Sequence, residues 1–238
     1  MTIAENIARV RERIHAATRS ANRSPDQITL VGVTKTVALE KVREAYGAGL
    51  RIFGENRVQE FAGKAEALND LPDTEWHMIG HLQSNKVSKA VELFAQIDSV
   101  DSLRLAQRLN SAAEELNKQL PVLIEINIGG EAAKSGIAPD SEELHELLNA
   151  APDLPHLAIR GLMTVPPYNE DVEQSRPYFR RMRDWFEQIA KRKLPKASME
   201  VLSMGMSHDF EIAIEEGATC VRVGTAIFGE RPVTRSKI

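Results

Sequence analysis

From residue 28 onward the chain alternates short apolar, β-rich runs with stretches of helical periodicity, and it does so eight times. The runs fall at 29–34, 51–54, 76–80, 96–100, 122–128, 158–165, 199–203 and 220–223. Helical stretches follow at 39–48, 56–68, 84–94, 102–118, 141–150, 173–192 and 209–216, with a short last turn after 225. Runs that are apolar almost throughout, such as ITLVGV, belong to strands covered on both faces. Eight such strands, each followed by a helix, predict a closed parallel (β/α)8 barrel. The competing arrangement is an open doubly wound sheet, which usually carries a glycine-rich phosphate fingerprint after its first strand. Here that position reads Thr34-Lys35-Thr36, without glycine. A barrel takes roughly 250 residues, so 238 residues fit one barrel domain spanning 1–238. No Pro/Gly/Ser-rich linker and no long repeat divides the chain.

Ahead of the first strand, Ile3, Ile7, Val10, Ile14 and Ala17 recur at steps of four and three, the signature of one apolar helix face. Thr2 is the expected N-cap, and Glu5 sits three residues on, at capping-box spacing. Asn56 and Ser84 are expected to cap the helices that follow strands two and three. Gly49 and Gly217 stand where helices should stop in the left-handed conformation.

Composition excludes several function classes. The net charge is −4, from 30 basic and 34 acidic residues, which argues against a general nucleic-acid binder. Lys191-Arg192-Lys193 reads as a solvated helix end. Arg176, Arg180, Arg181 and Arg183, interspersed with Glu173, Asp184 and Glu187, read as a mixed solvated face. Cys220 is the lone cysteine, so neither a disulfide framework nor a multi-cysteine zinc site is available. In an apolar strand it is expected to be buried and inert. His77 and His81 are four apart, but on a strand and loop rather than a helix, so no metal site is expected. No apolar stretch reaches the ~18 residues of a spanning helix, and the charged N-terminus does not resemble a signal peptide. No membrane association and a cytoplasmic location are the expectation.

In a (β/α)8 barrel, chemistry belongs at the C-terminal ends of the strands. Val31, Val33 and Lys35 share one face by strand alternation, which points Lys35 into the barrel mouth. Such a lysine makes a rim salt bridge or forms a Schiff base. Ser203-Met204-Gly205-Met206-Ser207 and Gly224-Thr225 lie at the junctions after strands seven and eight. Those junctions are ordinary turns or the usual phosphate cradle of this fold. Arg222 lies inside an apolar strand, where a charge must be paired; its partner is a neighbouring carboxylate or a ligand's ring nitrogen or anionic group. Taken together, the lysine, the anion cradle and the arginine fit one ligand with a carbonyl at one end and a phosphate at the other. Pyridoxal 5′-phosphate (PLP) has that layout, and its sites pair a lysine Schiff base with an Asp or Arg at the ring nitrogen.

Seven segments then stand in a recognisable order: VGVTKT (31–36), FGENRVQE (53–60), WHMIGHLQSNK (76–86), INIGGEAAKSG (126–136), RGLMTV (160–165), LSMGMSHD (202–209) and VRVGTAIFG (221–229). Together they resemble the pyridoxal-phosphate homeostasis protein family, single-domain relatives of the alanine racemase N-terminal barrel, over about residues 3 to 230. The resemblance implies that Lys35 is the cofactor lysine and that Asn56 lies beside the ring. It implies that Ser207, Gly224 and Thr225 hold the phosphate, with Ser203 and the Met206 backbone nearby, and that Arg222 faces the pyridine nitrogen. Met163 lines the pocket or is simply core. His81 and Gln83 contact the ligand or bond loop backbone.

The resemblance further implies a carrier that protects PLP, delivers it to PLP-dependent apoenzymes and affects amino-acid balance, without an established reaction. An arginine cannot accept a proton, so it favours an unprotonated ring nitrogen and a poorer electron sink. An amino-acid racemase is the alternative. It needs a second acid/base on the opposite face, which the racemase relatives take from an extra β-domain and a partner subunit. No residues remain for such a domain, and neither Tyr46, Tyr168 nor Tyr178 is an obvious substitute. A Schiff-base aldolase is disfavoured, because its lysine sits on a middle strand. A monomer is expected.

Overall fold

The computed structural model describes residues 1–131 and 133–230. Eight strands form: β1 (Thr29–Val33), β2 (Ile52–Glu55), β3 (Glu75–Met78), β4 (Gln96–Val100), β5 (Leu120–Glu125), β6 (Leu157–Met163), β7 (Ala197–Met206) and β8 (Cys220–Val223). They pair in chain order, and β8 returns to β1, so the sheet is a closed parallel barrel. The expected (β/α)8 architecture is therefore the one the chain adopts, and the open sheet is not. Closure gives every strand two partners, and the unbroken apolar character of the runs follows from burial on both faces.

The surrounding helices are α1 (Ile3–Ser20), α2 (Leu39–Gly47), α3 (Val58–Ala65), α4 (Val87–Leu93), α5 (Leu103–Glu115), α6 (Glu142–Asn149), α7 (Arg176–Lys191), α8 (Phe210–Glu215) and α9 (Thr225–Phe228). The α1 capping box forms as expected: the Glu5 amide donates to the Thr2 hydroxyl, and the Thr2 amide donates to the Glu5 carboxylate. Ile3, Ile7, Val10, Ile14 and Ala17 are all buried. The helix after β8 is a single turn, too short to cover a strand, and α1 packs against α8, α9 and α2 in its stead. The Asn6 side-chain amide fastens it by donating to the Ile227 carbonyl at 2.8 Å. Gly49 and Gly217 follow α2 and α8 with φ of 84° and 104°.

Three local expectations need correction. Arg57, not Asn56, occupies the N-cap of α3, because the Asn56 backbone is pressed against Gly80. A Cβ on Gly80 would lie 2.5 Å from the Asn56 carbonyl oxygen. Ser84 opens a 3-10 turn, Ser84–Lys86, ahead of α4 rather than capping it. β7 does not stop at 203 but runs to Met206, which pairs in register with Arg222. Gly205 allows this. Its φ is +95°, and a Cβ there would come within 2.6 Å of Ala213.

The α7 arginines are not a merely solvated face. Arg176, Arg180 and Arg183 converge on Glu216, a buried carboxylate at the end of α8, at 3.0–3.1 Å. Burial works against the charge of Glu216, but the hydrogen bonds from Arg180 and Arg176 hold its carboxyl below the usual range.

Candidate functional site

Register fixes which side chains enter the barrel. Val31 pairs with Arg222, Met163 with Ser203, and Ser203 with Cys220. Residues in register on neighbouring strands point to the same side of a sheet. A Cβ on Gly54 would meet Val31 and Ile79 at about the contact limit, so the interior is tightly filled below its mouth.

Arg222 is 3% exposed. Its guanidinium donates to the Ser203 hydroxyl at 2.6 Å and to the Thr164 carbonyl at 2.8 Å. Among the described residues no carboxylate hydrogen-bonds it. Of the two sequence expectations, the carboxylate partner is therefore not the one found. Two neutral oxygens orient the planar fork without neutralising it, which leaves its field available to a ligand. Ser203 lies inside β7 rather than in a loop, and it acts on Arg222.

Lys35 follows β1 in a four-residue turn closed by the Val37 amide on the Thr34 carbonyl at 3.0 Å. Thr36 occupies the left-handed region, with φ of 61°. Both neighbours of Lys35 are fastened to the β2–α3 segment. The Thr34 hydroxyl donates to buried Glu55 at 2.8 Å, and the Thr36 amide donates to Glu60. Lys64 on α3 joins the arrangement by donating to Glu55, Glu60 and the Thr34 carbonyl. The backbone that carries Lys35 is thus clamped on either side of it.

Lys35 and Asn56 line one cleft of about 620 Å³, together with Arg57, Gly80, His81 and Gln83. Asn56 Oδ1 is buried there without a hydrogen-bond partner. His81 does not bond loop backbone; its ring faces Asp101 at 3.0 Å.

A second group gathers where β7 and β8 end. The Ser207 hydroxyl accepts from the Gly224 amide at 3.1 Å and from the Ala226 amide at 3.3 Å. Thr225 stands exposed between them. Gly224 abuts Val33, two residues before Lys35, since a Cβ on Gly224 would lie 3.5 Å from the Val33 side chain. The Met206 amide is engaged by Asp209 at 2.7 Å, so it supports the loop rather than pointing outward. Met163 is fully buried on the inner face of β6. The lysine cleft and the Ser207–Gly224 group are therefore brought to adjacent strand ends, with Arg222 on β8, which pairs with both β7 and β1.

Sequence reasoning missed Glu125, which ends β5 on the functional rim with 9% exposure. Burial first, then the charge of Asp101, push its carboxyl up to about 7, against the pull of Arg222 and His81. The signal was there: an acidic residue closing the apolar run LPVLIE at the end where chemistry resides. The His77–Asp98 pair was missed too. His77 lies between Asp98 at 3.6 Å and Glu75 at 3.8 Å. Cys220 is buried as expected, and burial raises its thiol to about 12, ahead of the smaller effect of Asp98. No cluster of metal-binding side chains occurs among the described residues, and no described helix is long and apolar enough to cross a membrane.

The residues present fit a phosphorylated pyridine aldehyde. There is an amine on a clamped turn, a hydroxyl with two converging amides on the adjacent strand ends, a buried guanidinium on β8, and orphaned buried oxygens on Asn56 and Glu125. Residues 2–232 match the family model described as alanine racemase, N-terminal domain. The pyridoxal phosphate homeostasis protein of Aquifex aeolicus is 48% identical over 231 residues, covering 97% of this chain and 99% of that protein. The protein of that name from Escherichia coli K12 is 44% identical over 98% of both chains. PipY of Synechococcus elongatus, in a structure with PLP bound, superposes with a TM-score of 0.83 at 38% identity over 96% of this chain and 100% of that one. An alanine racemase of Clostridium difficile, at 16% identity and a TM-score of 0.70, shares the fold; the match covers 98% of this chain and 58% of that one. By the extent of these matches and the order of its motifs, the chain belongs to the pyridoxal phosphate homeostasis protein family.

Proposed function

We propose that this protein binds pyridoxal 5′-phosphate in the barrel mouth, holds it as a Schiff base on Lys35, and serves PLP homeostasis as a carrier rather than as an enzyme. The observation that carries the reading is Arg222, a buried cation oriented by two neutral oxygens on β8, in register with Val31 of the lysine strand and Met206 of the Ser207 strand. When bound, the cofactor supplies an aldehyde. Lys35 supplies the amine, Ser207, Gly224 and Thr225 serve the phosphate, Asn56 borders the ring, and Met163 closes the inner wall. Arg222 holds positive charge at the ring nitrogen and has no proton-accepting atom, which suits storage better than carbanion chemistry.

The tyrosines also support the carrier over the racemase. Tyr46 packs under Arg51 at 4.0 Å, and Tyr168 rests on His208. Among the described residues, no tyrosine lines the cleft that contains Lys35. Delivery to PLP-dependent apoenzymes, a monomeric state and a cytoplasmic location complete the proposal.

Borohydride reduction after addition of PLP, followed by peptide mapping, tests the assignment. The reduced adduct is expected on Lys35, and Lys35→Ala is expected to lose it while keeping its circular dichroism. A pocket adduct persisting in Lys35→Ala overturns the lysine assignment. No racemisation by protein that retains the adduct, with transfer to an apoenzyme, is the expected functional outcome.

A further inference from the structure

Arg11 on α1 and Arg51, just ahead of β2, are anchored to consecutive carbonyls of one loop. The Arg11 guanidinium donates to the Gly49 carbonyl at 3.0 Å. That of Arg51 donates to the Leu50 carbonyl at 2.9 Å and to the Tyr46 carbonyl at 2.8 Å, and it lies over the Tyr46 ring, 4.0 Å from its centroid. Among the described residues, no carboxylate hydrogen-bonds either arginine. Neutral carbonyls orient the two forks without cancelling their charge, and cations held to one loop repel each other. Arg13 of the same helix is paired with Glu211, so the missing anion is a property of this face and not of α1. Arg11, His15 and Arg19 stand at steps of four along it, a spacing at which none relieves the charge of the next.

Both arginines border a hollow of about 280 Å³ whose wall is aliphatic: Ile14, Ile28, Leu30, Leu50 and Ile52. Arg11 and His15 also line an adjoining hollow of about 230 Å³ that continues along α1 to Arg19. Ile28, Leu30 and Ile52 are only half-buried, so apolar surface stays open beside fixed positive charge. The acids at the edges are Asp26, which accepts from the Ser24 hydroxyl, and Glu12. A planar guanidinium fork matches a carboxylate with two parallel hydrogen bonds, and an aliphatic wall gains by covering a hydrocarbon chain. We propose that this groove is a binding site for an aliphatic carboxylate, with Arg11 and Arg51 on the head group and Ile14, Ile28, Leu30 and Ile52 against the chain. It lies where β1 and β2 start, at the end of the barrel away from the Lys35 turn, so the proposal is independent of the PLP reading.

The test titrates the protein with octanoate and with octanol, its uncharged counterpart, by calorimetry, and places each by the methyl NMR signals of the isoleucines. Octanoate is expected to bind with Kd at or below about 1 mM, roughly ten-fold tighter than octanol, with shifts confined to Ile14, Ile28 and Ile52. Raising salt from about 50 to about 500 mM should narrow that preference. Arg11→Gln and Arg51→Gln should each weaken octanoate by roughly five-fold or more and leave octanol within about two-fold. Arg9→Gln removes the same charge from α1 outside the groove and should leave both ligands within about two-fold. Arg51→Gln also loses its packing on Tyr46, so exposed Arg11 decides the matter if that variant melts early. Octanol binding as well as octanoate, equal weakening in Arg9→Gln and Arg11→Gln, shifts at isoleucines outside the groove, or no octanoate binding at all overturns the proposal.

Discussion

Arg222 and His77 show how differently two buried basic side chains of one barrel interior are treated. Arg222 is tethered to a hydroxyl and a carbonyl, which fixes its direction and leaves its charge for a ligand. His77 faces two carboxylates at 3.6 and 3.8 Å, which favour its protonated form. Burial opposes that charge, but Asp98 and then Glu75 outweigh it, so the imidazole holds its proton above the ordinary histidine range. A group whose folded pKa is raised adds stability that is complete below the unfolded value, near 6.5, and is lost as pH rises through the folded value. Urea denaturation between pH 6 and 9 should therefore show stability declining with pH. His77→Gln should flatten that slope and leave the borohydride adduct on Lys35 intact.

At the scale of elements, what matters is how a secondary structure ends. α1 begins with a reciprocal cap between Thr2 and Glu5, satisfying two amides that the first turn leaves without partners. Thr2→Ala is expected to cost about 1 kcal/mol, measurable as a lowered denaturation midpoint with an unchanged slope. The turn after β1 has no cap and no glycine. It depends on Glu55, Glu60 and Lys64, contributed by β2 and α3. Glu60 keeps its charge against burial because Lys64 and the Thr36 amide both donate to it. Lys64→Met is therefore expected to slow adduct formation on Lys35 several-fold and to lower the melting temperature, because buried Glu55 loses its cation. Stopped-flow absorbance after mixing with PLP checks this.

At the scale of the whole molecule, Glu216 is the clamp between α7 and α8. Three arginines from one helix reach it, and those helices flank the strands that lead into Ser207 and Gly224. Glu216→Gln should cost about 2–3 kcal/mol, because the arginines lose their shared buried charge. The carboxyl is depressed in the folded state, so its contribution is present above the unfolded value near 4.3 and is lost as pH falls through the folded one. Acid titration followed by near-ultraviolet circular dichroism should place the wild-type transition at lower pH than that of Glu216→Asp. The carboxyl of the aspartate variant stops short of the arginines.

The barrel was legible from residues because closure buries both faces of every strand, and that leaves eight apolar runs separated by amphipathic helices. Gly49 and Gly217 were legible because local backbone geometry needs no partner, and alternation along β1 aimed Val31 and Val33 inward, but Lys35 lies past the strand in a turn whose course depends on Glu55, Glu60 and Lys64. What lay beyond the sequence depends on residues distant along the chain. Asn56 yields the α3 cap to Arg57 because Gly80 presses on it. β7 extends to Met206 because Arg222 of the next strand pairs with it. Arg222 meets neutral oxygens rather than a carboxylate, and Glu125 is left without a partner beside Asp101. Periodicity reports which way a side chain points; only the closed register decides which distant groups it meets, and charge and hydrogen bonding are set by those meetings.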